Sequence, residues 1–124
     1  MQELDTKKTT DLLNAIMEFE LAGVVRYTHY SLMVTGPYRI PIVDFFKAQA
    51  SESLLHAQHV GEILTGIYGH PSLKISPMEE TYNHTLKDIL EESLSHEQTA
   101  LSLYTSFLHS VLVPIIYFDS FPRY

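Results

Sequence analysis

The stretch L-S-H-E-Q-T-A-L, residues 94–101, sets a glutamate between leucines inside a long run of helical character. At about 100° per residue, Leu86, Leu90, Leu94, Leu101, Tyr104 and Leu108 all fall within roughly 60° of Glu97. The period is that of a helix rather than a strand. An unpaired carboxylate on the midline of a buried apolar stripe costs several kcal/mol. Glu97 therefore needs a partner, and the identity of that partner bears on what the chain does.

Working outward, chain breakers divide the sequence. Gly36-Pro37 and Pro41 bracket one short loop, Gly69-His70-Pro71 and Pro77 bracket another, and Pro114 interrupts near the end. Between them lie three segments with helical periodicity, approximately 6–34, 41–68 and 79–111. Pro41 suits the first turn of a helix, and Gly69 followed by Pro71 suits a helix stop. Helices of this length run to about 40 Å at 1.5 Å per residue, so they predict an all-α bundle. From Leu112 the composition changes to L-V-P-I-I-Y-F-D-S-F-P-R-Y. The expected organisation is a helical domain over 1–111 and an irregular, apolar, aromatic tail over 112–124.

Composition narrows the chemistry. The chain has 124 residues, enough for one domain, and no cysteine, which excludes disulfides, thiolate metal sites and cysteine nucleophiles. A formal charge of −7 argues against a nucleic-acid partner and suits a protein that attracts cations. The N-terminal M-Q-E-L-D-T-K-K has no apolar signal core, and no stretch is long enough to span a bilayer. A cytoplasmic protein without membrane attachment is the expectation.

The first segment repeats the oddity of the third. Leu13, Ile16, Met17, Val24 and Tyr27 share a face with Glu20 at its middle, while Arg26, Asp11, Glu18 and His29 point elsewhere. The second segment has an apolar arc of Phe46, Ala50, Leu54, Ala57, Val60 and Leu64. Ser53 lies near the centre of that arc, His56 to one side and Glu52 near its edge. No Lys or Arg lies on these stripes. Carboxylates crowded together raise one another's pKa unless a counter-charge intervenes, and oxygen plus imidazole donors suit iron or manganese. The competing reading is a set of protonated or hydrogen-bonded core acids. His59, Glu62, Glu91 and Glu92 are expected to be solvated, and His29, His70, His84, His96 and His109 to lie on the surface or in loops.

F-E-L-A-G-V-V-R-Y at 19–27, H-A-Q-H-V-G-E-I-L-T-G-I-Y-G-H-P-S-L at 56–73 and E-E-S-L-S-H-E-Q-T-A-L at 91–101 together resemble the ferritin-like superfamily, most closely the bacterioferritins. The resemblance implies an all-α, ferritin-like antiparallel helical bundle with a di-iron carboxylate site that oxidises Fe(II) with oxygen or peroxide, in an oligomer that stores iron. It places Glu20, His56 and Glu97 at ligand positions. The family's bridging glutamate falls three residues before His56, where this chain has Ser53, and Glu52 beside it is the remaining candidate. The family's fourth helix has no counterpart after residue 111, so the ligand set is expected to be incomplete and the open side to favour self-association, with Val111–Phe118 folding back as another cover. Leu54 occupies the place of the axial methionine, so no haem is expected. Two functions follow as alternatives: an iron-binding or ferroxidase protein with metal ligands Glu20, Glu52, His56 and Glu97, and a non-catalytic assembly subunit. A DNA-protecting mini-ferritin fits less well, given the acidic charge and aromatic tail.

Overall fold

The computed structural model describes residues 5–119, with side chains through residue 111. Three helices occur among the described residues: α1 (Thr6–Met33), α2 (Arg39–Gly66) and α3 (Leu86–Asp119). Asp5 caps α1 by accepting from the Lys8 N–H, which satisfies one of the free amides of the first turn. Pro41 sits in the first turn of α2, where no intrahelical donor is needed. The Thr85 hydroxyl accepts from the Asp88 N–H at 3.1 Å and donates to the Asp88 carboxylate at 2.7 Å, opening α3.

These boundaries correct two sequence expectations. The third helix begins at Leu86 rather than near 79, because the Thr85–Asp88 cap outcompetes the upstream residues. The backbone of 112–119 is helical and continues α3, so Pro114 lies within the helix and Val111–Phe118 neither forms an irregular tail nor folds back. The rest of the expected tail, residues 120–124, lies outside the described residues.

α1 packs against both other helices, whereas α2 and α3 make no close backbone approach to each other among the described residues. Contacts fix the directions. Glu20 meets His56 while Leu13 and Leu64 share a cluster, so α2 runs antiparallel to α1. Tyr30 meets Glu92 and Glu20 meets Tyr104, so α3 also runs antiparallel to α1. α2 and α3 are consequently parallel and need a long crossover, which residues 67–85 provide. That segment is strapped along α1. Asn14 donates to the His70 carbonyl and accepts from the Ser72 N–H, and the Ser76 N–H donates to the Glu18 carbonyl.

The core has two apolar clusters. One contains Tyr27, Tyr30, Val34, Val43, Phe46, Ala50 and Ile89; the other contains Leu13, Ile16, Met17, Ala57, Val60 and Leu64. Between them lies a polar layer. Gly23 permits the close approach there, since a Cβ on it would lie 2.9 Å from both the His96 Nε2 and the Ser53 Oγ. A small residue at 53 thus fits where α2 crosses α1. No helix among the described residues is long and apolar enough to cross a membrane.

The predicted inner faces of α1 and α2 are largely buried, although Leu54 is exposed. The face of α3 is different. Ile89, His96 and Ala100 turn towards α1, and the leucine stripe around Glu97 is left largely open, with Leu94 at 60% and Leu101 at 67% exposure. α3 has two apolar faces, and the described chain covers one of them.

Candidate metal centre

The polar layer gathers Glu20 from α1, Glu52 and His56 from α2, and Glu97 from α3. Glu20 is buried, His56 is half-buried, and Glu52 and Glu97 are exposed. Burial pushes the Glu20 carboxyl above the usual carboxylate range; Tyr104 and His56 pull it back, and the nearby Glu97 charge pushes it up.

The carboxylates of Glu20 and Glu97 are held by a reciprocal pair of tyrosines. Tyr27, seven residues after Glu20, donates from α1 to Glu97 on α3. Tyr104, seven residues after Glu97, donates from α3 to Glu20 on α1 at 3.0 Å. Seven residues advance about 10 Å along a helix and return to nearly the same face. On antiparallel helices the same spacing therefore makes each tyrosine reach the other helix's acid. Burial raises both phenols well above the ordinary tyrosine range, so they keep their protons and act as donors. A hydrogen bond to a charged acceptor contributes about 1.5–3 kcal/mol.

His56 presents a different nitrogen to each of two carboxylates. Its Nδ1 lies 3.5 Å from Glu20 Oε2, and its Nε2 lies 3.4 Å from Glu52 Oε1 on the same helix. One ring nitrogen therefore faces into the bundle and the other faces outward. Glu20, His56 Nδ1 and Glu97 supply oxygen and imidazole donors of the kind that ferrous iron accepts. They are not drawn into one tight triad, since Glu97 is turned to Tyr27.

Several side chains depart from expectation. His96, expected at the surface, is buried, stacked on Phe19 at 4.1 Å between ring centroids and edge-on to Tyr27. Burial, aided by the charge of Arg26, lowers its pKa to about 4 and keeps the ring neutral. Glu92, expected to be solvated, is partly buried and accepts from the Tyr30 hydroxyl at 2.7 Å, with Arg26 4.0 Å away. Arg26 is itself partly buried and donates to Tyr30 at 2.8 Å. His29 and His84 are partly buried and meet each other. Helical pitch finds Glu20, but cannot choose between the two apolar faces of α3, which is why His96 was missed. The Glu-to-Tyr spacing of seven, present twice, was the readable trace of the tyrosine exchange.

Among known proteins, the family model for the ferritin-like domain matches residues 10–109. No curated protein and no solved structure matches the chain.

Proposed function

Because the chain belongs to the ferritin-like family, we propose that it binds ferrous iron as its substrate in the polar layer, in the manner of an iron-storage protein of bacterioferritin type. The reading is supported by the reciprocal tyrosine pair, which fixes Glu20, beside the inward nitrogen of His56, and Glu97 on facing helices. Glu20, His56 through Nδ1 and Glu97 are the proposed ligands. Glu52 has the position of the outer carboxylate that fixes the tautomer of a metal-binding histidine, since it faces the other ring nitrogen. It stays in the site in that role, and direct ligation by Glu52 is the alternative.

Oxidation of the bound Fe(II) by oxygen or peroxide completes the proposal. Each ferrous ion gives up one electron, so a pair of ions is needed for a two-electron step. The donors found here favour one ion over two, and slow turnover follows. Family membership also implies assembly of several copies, and assembly would bury the exposed leucine face of α3.

An anaerobic Fe(II) titration followed by exposure to oxygen tests the reading. Saturable binding is expected, followed by oxidation faster than in protein-free buffer. Glu97→Ala is expected to weaken binding at least tenfold and to return oxidation to the background rate. Non-saturable uptake with background oxidation in the unaltered chain would reject it. Glu52→Gln separates its two roles: a loss as large as that of Glu97→Ala indicates direct ligation, and a smaller one indicates support of His56.

A further inference from the structure

The crossover segment carries a second group of donors on the far side of α1. His29 lies nine residues beyond Glu20, about 13 Å along the helix and about 180° around it. Here Glu80 and His84 of the crossover come back against His29. His29 Nε2 is 2.8 Å from Glu80 Oε2, and His84 Nε2 is 3.3 Å from Glu80 Oε1. The two Nε2 atoms are 3.2 Å apart. One donor atom from each residue thus lies within 4.8 Å of the others.

Hydrogen bonds alone cannot satisfy this triangle. Each edge to the ionised carboxylate needs a proton on the imidazole nitrogen, so both Nε2 atoms must be protonated. The edge between the nitrogens tolerates only one proton, since two N–H groups facing each other repel. Every assignment leaves one edge with like facing like. The Tyr82 N–H donates to Glu80 Oε1 at 2.8 Å, a contact that supports the ionised carboxylate.

A cation between the three atoms removes the conflict, because it accepts all three lone pairs and needs no proton on either Nε2. The distances suit it: bonds of about 2.0–2.1 Å in tetrahedral geometry put ligand atoms about 3.3 Å apart. We propose that His29, Glu80 and His84 form a second metal site, separate from the polar layer, for a divalent first-row cation of the zinc or ferrous class. Two imidazoles with one carboxylate favour such ions over magnesium or calcium, which take oxygen donors. A cavity lined in part by Arg26, Glu79 and Glu92 opens beside the cluster and gives water room to complete the coordination. Its carboxylates outnumber its one guanidinium. With one ligand on α1 and two on the crossover, the ion clips the segment to the helix it crosses.

Cobalt(II) titration of the full chain, followed by visible absorption, tests the site. In a Glu20→Ala/Glu97→Ala background, which silences the polar layer, one saturable Co(II) site is expected, displaced by Zn(II). Glu80→Gln and His84→Ala in that background are expected to weaken it at least tenfold while far-UV circular dichroism stays helical. Non-saturable Co(II) uptake, or an affinity that His84→Ala leaves unchanged, would overturn the proposal. If the background variant does not fold, the otherwise unaltered chain gives the answer: His84→Ala should lower the Co(II) stoichiometry by one, and an unchanged stoichiometry would overturn the proposal.

Discussion

Gly23 stands where α1 passes between Ser53 of α2 and His96 of α3. A methyl group there would press on an imidazole that is itself stacked on Phe19, so His96 has little room to yield. Overpacking of this kind costs about 1–3 kcal/mol, and the better helix propensity of alanine returns about 1 kcal/mol. Gly23→Ala is expected to destabilise the protein by up to about 2 kcal/mol, read as a lower denaturant midpoint with an unchanged m-value. Adding Ser53→Ala removes one of the two obstructing atoms and should recover part of that loss. A stabilised Gly23→Ala protein would show that the helices separate easily at this level. At this scale the sequence disclosed Glu20 and, twice over, the Glu-to-Tyr spacing. It did not disclose that each tyrosine serves the opposite helix, because a partner across an interface depends on helix direction, which no single segment encodes. The same limit hid the triangle of His29, Glu80 and His84, whose members are 51 and 4 residues apart.

Helix ends show where local chemistry decides and where it yields to the rest of the chain. α2 stops through a paired closure in which the Gly69 N–H returns to the Leu64 carbonyl at 2.9 Å and the Tyr68 N–H to the Thr65 carbonyl at 3.0 Å. The left-handed residue in that closure is Tyr68, with φ of 64°, and the adjacent Gly69 does not take that role. A side chain in that conformation costs about 1–2 kcal/mol, and the Tyr68 ring is 99% exposed, so it gains no packing in return. Tyr68→Gly is accordingly expected to raise thermal stability, by about 1 kcal/mol at the melting temperature, in differential scanning calorimetry. No change or a loss would mean that Tyr68 makes a contact in an assembly. Gly69 and Pro71 marked this stop correctly in the sequence, to within a few residues. The start of α3 was equally readable in the T-L-K-D of residues 85–88, a cap signal that the longer hydrophobic periodicity obscured. Pro114 misled in the opposite direction, since it lies within a helix that continues to Asp119.

At the scale of the molecule, three long helices and their order were legible because breakers and periodicity agree at the two loops that separate them. The direction of α3 and the path of residues 67–85 were not, because both depend on which faces meet. The leucine stripe is the instructive case. The sequence marks it as apolar, and the expected inference is burial, yet the described chain turns a neighbouring face of α3 to α1 and leaves the leucines open. Apolarity records that a surface gains from cover without saying whether, or by what, it is covered. The central position of α1 has a further consequence for opening motions. α2 is joined to α1 by a short turn and buries its arc along it, whereas α3 closely approaches only α1 among the described helices and has one face uncovered. Undocking α3 therefore leaves the α1–α2 hairpin standing, as a sub-global opening distinct from complete unfolding. Amide hydrogen exchange of the isolated chain is expected to show α3 exchanging as one cooperative block, sooner than the facing residues of α1 and α2. Equal protection in all three helices would mean that they open together. In the expected case, Glu97 and Tyr104 leave with α3 while Glu20 and His56 stay in place, so an ion held between them has an exit route that does not require the whole fold to be lost.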